Sequence, residues 1–308
     1  MKQGKSGIKR GTGIRETGID RGFTIVNYIV IGILFLIVLY PIIYVVSCSF
    51  SSASALMRGS VKLFPVDVTL EGYKAVFEYD MVWVGYANSI FYTVVGTLIN
   101  VVMTVLLAYP LSRKNLIGKK VVMSVLVFTM MFNAGMIPNY LLLQSLGMVN
   151  TRWALLIPGA INTFNTMVTI TFFKTNIPDD LLDAAKIDGA SDFYFLRKIV
   201  LPLSGAIIAV ITLYYAVGHW NAYFDAMIYI NDPDLKPLQL VLRSVLVNNE
   251  LNLEALNSMD QESLAAIENR AMLLKYSLIV VSSAPMVAAY PFVQKYFVKG
   301  VMIGSVKG

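Results

Sequence analysis

Two short stretches collect the side chains whose spacing could do chemistry. One runs Asp183-Ala184-Ala185-Lys186-Ile187-Asp188-Gly189 and continues to Ile199-Val200-Leu201-Pro202. A carboxylate beside two alanines leaves a helix backbone open to close approach by a second surface. A glycine just past that helix supplies positive φ without steric cost. The chemistry on offer is docking, not bond breaking. The other stretch is His219-Trp220-Asn221-Ala222-Tyr223-Phe224-Asp225. Aromatic faces beside an amide suit a sugar ring, whose C–H patches stack and whose hydroxyls need donors and acceptors. Trp220, Asn221 and Tyr223 are the candidates for such contact. An aromatic belt at a membrane interface would place Trp and Tyr at the same depth with no ligand.

Catalytic chemistry is poorly supplied. The single cysteine, Cys48, excludes an intrachain disulfide and a cysteine-based metal cage. The single histidine, His219, excludes a multi-histidine metal or haem site. It also makes an intramembrane hydrolase remote, since that chemistry needs a paired nucleophile and base. No G-x-x-x-x-G-K-S/T string occurs, so the chain has no phosphate-binding loop of its own. The expectation is a non-catalytic chain without metal or cofactor, driven by energy from elsewhere.

These stretches are set in a membrane protein. Hydrophobic residues fill 56% of 308 positions and charged residues only 14%, where a soluble domain carries about a quarter charged. Mean hydropathy is +0.65. The net charge of +6 does not point to nucleic acid, because the basic residues flank apolar runs and form no basic face. Six runs have the length of a transmembrane helix: Phe23–Ser47, Tyr86–Leu111, Val121–Leu143, Trp153–Phe173, Leu203–Phe224 and Met272–Phe297. Asn133-Ala134-Gly135 and Pro138 interrupt the third and predict a kink there. With the N-terminus inside, inner segments hold seventeen Lys and Arg against seven outside, which places both termini in the cytoplasm. Lys275 lies near a span end, where its stem can snorkel. A cleaved signal ending near Ala53-Ser54-Ala55, or a lipoprotein box at Cys48, is the rival for the N-terminus. The first apolar run is too long for a signal core of about 7–15 residues.

On the basic side, between the fourth and fifth runs, the sequence predicts a hairpin over 178–202. Pro178 suits a first helical turn, and Asp179 and Asp180 complement the positive helix end. Gly189 then forms a hinge. Ser191 caps a second helix that carries Phe193, Phe195 and Leu196, and Pro202 breaks it at the entry to the fifth run. An interfacial amphipathic helix that only anchors a loop would have the same composition.

The arrangement resembles the EAA motif of binding-protein-dependent ABC importers: Glu-Ala-Ala, three residues, Gly, nine residues, Ile, one residue, Leu-Pro. Ala184, Ala185, Gly189, Ile199, Leu201 and Pro202 fall in register, and Asp183 stands in place of the usual Glu. The stretch Gln294-Lys295-Tyr296-Phe297-Val298-Lys299-Gly300 and the end Gly304-Ser305-Val306-Lys307-Gly308 are similar to the tail of the carbohydrate-type, maltose-permease-like members. The resemblance spans about residue 20 to 308. It implies an all-α polytopic fold of the type I importer permease kind, in which the motif is a coupling helix seated in an ATPase. It further implies a second homologous permease, an ABC ATPase dimer, an extracytoplasmic solute-binding protein, and a sugar substrate of oligosaccharide size. The importer domain would then be 23–308, with cytoplasmic tails at 1–22 and 298–308, in the inner cell membrane. The external loop 225–271, especially Asp232 to Asn257, would reach toward the binding protein.

The residues inside the runs add two points. No Asp or Glu lies well within them, which counts against the alternative of an ion-coupled secondary transporter working without an ATPase. The fourth run carries Gly159, Asn162, Thr163, Asn165, Thr166, Thr169 and Thr171. Small and hydroxylic residues in such density either pack helices closely or line a wet passage.

Overall fold

A computed structural model describes residues 18–255 and 261–305, with backbone alone for 248–255, 261–266 and 292–305. The expected N-terminal tail up to residue 17, part of the outer loop, and the final 306–308 lie outside the described residues. Those described form helices and connecting turns, with no strand among them.

The helix α1 (Gly18–Ser49) is followed by short α2 (Ala53–Met57) and α3 (Glu71–Phe77), then by long α4 (Asp80–Ser112). The helices α5 (Lys119–Met131) and α6 (Met136–Ser145) come next, then α7 (Trp153–Leu156) and α8 (Thr163–Asn176). The hairpin is built of α9 (Asp179–Ile187), α10 (Asp192–Phe195), a π-helical turn (Leu196–Val200) and α11 (Leu201–Leu203). The chain closes with α12 (Gly205–Asn221), α13 (Phe224–Tyr229), α14 (Leu238–Ala255) and α15 (Gln261–Ser305).

Three helices are long and apolar enough to cross a bilayer: α1, α4 and the stretch Ile267–Pro291 of α15. Counting each bent pair as one span raises this to five, so the six expected spans are not all matched. α1 exposes Ile25, Ile29, Leu34, Phe35, Leu36 and Ile37, each more than half accessible. Such a face is stable against lipid or another apolar helix.

The departures have local causes. The third run breaks where expected, at Gly135 with φ 88°, but α5 and α6 then meet at 118°, so the run does not continue in one direction. The fourth run splits. α7 stops ahead of Pro158-Gly159, and α8 restarts where the Asn162 side chain accepts from the Asn165 N–H at 3.0 Å. α8 has 14 residues, about 21 Å at the rise of a helix, short of a hydrocarbon core about 30 Å thick. Polar backbone freed at such breaks needs protein or water around it.

The main core joins the lower halves of α4, α8 and α12 to the hairpin. Phe173, Phe195, Leu111, Ile170, Ile177, Ile211 and Val200 are almost wholly buried there. A second cluster sits at the other end, where Val76, Val82, Trp220, Leu238, Val245 and Leu278 join α3, α4, α12, α14 and α15.

Candidate functional site

The hairpin forms as its residues direct, with two adjustments. Pro178 occupies the cap position ahead of α9, not the first turn. At the other end Pro202 lies within α11, and the 83° bend falls at Ser204, between α11 and α12. Proline lacks an N–H and crowds the carbonyl four residues earlier. The preceding turn relaxes into π geometry, with the Leu201 N–H donating to Leu196 O. α9 ends in a Schellman closure: the Ala190 N–H donates to Ala185 O at 2.9 Å and the Gly189 N–H to Lys186 O at 3.0 Å. Gly189 takes φ 79° with open space around it. Ser191 caps α10, accepting from the Tyr194 N–H at 3.2 Å.

The candidate motif residues divide between two faces. Ala185 is buried beside Leu182, Phe195 and Val200 in the main core, and Ile199 and Leu201 pack partly against it. Asp183, Ala184, Gly189 and Pro202 are exposed. Around them stand Ile187, 87% accessible, and Phe193, 68% accessible. The hairpin has one face fastened to the bundle and an outer face on which Ile187 and Phe193 stand among charged side chains such as Asp183, Lys186 and Asp188.

Sequence reasoning missed the fastening itself. Arg113, at the end of α4, is 7% exposed. Its Nε donates to Ser112 Oγ at 3.0 Å, its Nη1 to Ile177 O at 3.3 Å and Asp179 Oδ1 at 3.2 Å, and its Nη2 to Phe173 O at 3.4 Å. The guanidinium meets the last carbonyls of α8 and the first acid of α9 together, and both helix ends favour its charge. Lys114 pairs with the other oxygen of Asp179 at 3.2 Å, and Lys119 Nζ donates to Arg113 O at 2.7 Å. A basic residue directly after a long apolar run was the available signal, and positive-inside sorting explains the same residue without any contact.

Between the helices lies a cavity of about 760 Å³. Asn100, Asn162, Asn165, Tyr214, His219 and Asp225 give it polar walls. Asn100 Nδ2 donates to Gly159 O at 2.5 Å, so its Oδ1 faces His219 Nε2 at 2.6 Å and accepts from it. Thr104 Oγ1 and Tyr215 OH are bonded at 2.7 Å one turn further along. Of the aromatic candidates, Trp220 points away from the cavity: its Nε1 donates to Ser282 O at 3.2 Å and its ring lies near Tyr86. Asn221 and Tyr223 are exposed, with Arg243 5.9 Å from the Tyr223 ring centre. The neighbours His219, Ala222 and Asp225 line the cavity instead.

The connection 230–238, at the end of the bundle away from the hairpin, is held firmly. Asn150 Oδ1 accepts from the N–H groups of Asn231 and Asp232 at 2.9 and 2.8 Å. Asn88 Nδ2 donates to Asp234 O at 2.7 Å, Tyr92 OH to Leu235 O at 2.8 Å, and the Leu238 N–H to Ser89 Oγ at 2.8 Å.

Long lipid-compatible helices, a polar cavity between them and a two-faced hairpin at one end are the parts of a helical membrane transport subunit. Residues 82–303 match the family described as binding-protein-dependent transport system inner membrane component, and the chain belongs to that family. It is 39% identical over 295 residues to Protein LplC of Bacillus subtilis, covering 96% of this chain and 98% of that one. It is 40% identical over 273 residues to the polygalacturonan/rhamnogalacturonan transport system permease YtcP of the same organism, covering 89% and 94%. Among solved structures, a bacterial ABC transporter that imports the acidic polysaccharide alginate contains a chain 37% identical, with TM-score 0.83, over 92% of this chain and all of that one. The fold is that of a type I ABC importer permease.

Proposed function

We propose that this chain is one of two permease subunits in an ATP-driven oligosaccharide importer, and that it receives the power stroke through hairpin 178–202. The observation that carries this reading is the two-faced hairpin. Ala185, Phe195 and Val200 bind it into the bundle core, while Ile187 and Phe193 remain exposed, with nothing among the described residues covering them. A separate ABC ATPase dimer covers that face, with Asp183, Ala184 and Gly189 at the contact. Ala185, Ile199, Leu201 and Pro202 carry its motion inward. The names of the relatives support a carbohydrate cargo, and they give no support to an ion-coupled carrier.

The cavity is this subunit's half of the passage. Four amides, three tyrosines, a histidine and one carboxylate among its lining suit hydroxyl-rich rings. Asn221 and Tyr223, exposed at the end of α12, wet its approach, while Trp220 holds α12 to α15. An extracytoplasmic solute-binding protein docks on the outer connection between Asp232 and Asn257, and both termini face the cytoplasm of the inner-membrane complex. The test is purification in mild detergent followed by reconstitution. A second permease and a nucleotide-binding subunit should accompany the chain, and oligosaccharide uptake should require ATP and the binding protein. Uptake by the chain alone, driven by an ion gradient and indifferent to ATP, would refute the proposal.

A further inference from the structure

We propose that Arg113 is the clamp that makes the hairpin and the spanning helix α4 move as one body, and so is a positioning residue for energy coupling. The proposal rests on the coupling role assigned to the hairpin above. Three chain segments converge on this one side chain. It belongs to the end of α4, donates to the last carbonyls of α8, and pairs with the first acid of α9. No other hydrogen bond or ion pair described at this junction joins all three, although the apolar cluster beside it touches each of them. The apolar core beside it resists separation of the surfaces but is non-directional, so it leaves sliding and rotation weakly opposed. A planar guanidinium with donors in a rigid fork fixes direction as well as distance.

Its setting argues against an incidental surface pair. The Arg113 side chain is 9% accessible and Asp179 26%. Removing one partner therefore leaves a buried charge without its counterpart, whereas exposed pairs contribute little. Lys114 supports Asp179 from the solvent side with 84% of its own side chain accessible, so it cannot replace Arg113. Lys119 ties the Arg113 carbonyl to the start of α5, which extends the rigid unit by one helix. The hairpin is then gripped at two ends: by Pro202 and the π-turn toward α12, and by Arg113 toward α4 and α8. A push on Ile187 and Phe193 turns both helices that wall the cavity.

The test compares the reconstituted complex carrying Arg113→Ala, Arg113→Lys, Asp179→Asn and the double variant Arg113→Ala/Asp179→Asn. The readout is oligosaccharide taken up per ATP hydrolysed. Arg113→Ala should lower that ratio about tenfold or more while hydrolysis continues, the scale of a lost charge-assisted contact. Arg113→Lys should fall between Ala and wild type, because it keeps the charge and loses the fork. Asp179→Asn should uncouple in the same sense, and the double variant should be no worse than Arg113→Ala alone. An unchanged ratio in an assembled Arg113→Ala complex overturns the clamp. Should that variant fail to assemble, an unchanged ratio in both Arg113→Lys and Asp179→Asn overturns it equally. Failure of the wild-type chain to bring down an ATPase would instead sink the coupling role itself, so the two failures are separable.

Discussion

Gly96 is a position where one added carbon should do clear damage. A Cβ built there would lie 2.5 Å from His219 Cε1 and 2.8 Å from Cδ2, inside any tolerable contact distance. α4 and α12 must separate or the imidazole must swing out, and either response breaks the 2.6 Å bond to Asn100. Overpacking costs about 1–3 kcal/mol and the lost hydrogen bond about 1 kcal/mol, so Gly96→Ala should destabilise by about 2–4 kcal/mol. Gly218 is the control: it is also helical, on the same α12, and nothing lies within 4 Å of a Cβ there. Alanine at 218 should be neutral or slightly stabilising, given the helix preference of about 1 kcal/mol over glycine. The assay is thermal unfolding of the purified complex in detergent, run beside uptake in proteoliposomes. His219→Ala should partly rescue Gly96→Ala by removing the obstructing ring. A Gly96→Ala protein with unchanged melting and uptake, or a double variant no better than the single, would refute the packing argument.

Replacement at Gly189 tests backbone strain, because φ is 79° and no atom described in this chain lies within 4 Å of an added Cβ. Gly189→Asn should transport well, whereas Gly189→Val should lose about 1–2 kcal/mol of hairpin stability and most uptake while insertion persists. Gly189→Asp is expected to abolish uptake, and normal uptake by that inserted variant would count against the hairpin's role. Phe195 is fully buried between hairpin and bundle, so Phe195→Ala should cost about 3–5 kcal/mol and open the hairpin to protease. Ala185→Glu places an unpaired charge in the same core and should uncouple hydrolysis from uptake. Thr104 and Tyr215 are mutual partners in a buried seam. Thr104→Val or Tyr215→Phe alone should cost about 1–3 kcal/mol, and the pair together much less. Equal and additive losses in a thermal-shift double-mutant cycle would contradict that.

The hairpin was legible because its signals are local. Proline and aspartates at a helix start, serine at a cap and glycine at a positive φ act within a few residues, and each is read in chain order. The break in the third run was legible for the same reason. The fourth run was misjudged because mean apolarity hides a break: Pro158, Gly159 and the Asn162 cap are ordinary turn signals, outweighed in the reading by the apolar residues on either side. The bend at Ser204 was assigned to Pro202 because the π-turn that absorbs the proline leaves no mark in the sequence. Helix phase decides which of the residues 219–225 line the cavity: α12 turns Trp220 toward α15 and His219 toward α4, about 100° apart. That choice depends on which neighbour each face meets. Arg113 and Asn100 lie far in sequence from the partners they join to α4; only the place of Arg113 just after a long apolar run is a local sign, and nothing local points to Asn100.

One face of α12 connects the two halves of the site. Ile207, Ile211, Tyr215 and His219 follow one another at steps of four, and α4 presents Gly96, Asn100, Thr104 and Ala108 at the same step. The two series pair antiparallel, His219 with Asn100 and Tyr215 with Thr104. Toward the hairpin the seam is apolar, with Ile207, Ile211 and Ala108 in the core that also holds Ala185 and Phe195. Toward the cavity it becomes polar and ends at the Gly159 carbonyl, in the unwound stretch between α7 and α8. Apolar contacts tolerate small slides, whereas hydrogen bonds of fixed geometry change partners or break. A small displacement begun at the hairpin can therefore be taken up in the apolar part without breaking any bond. In the polar part it would have to break or exchange the bonds by which Asn100 holds His219 and Gly159, at the cavity wall.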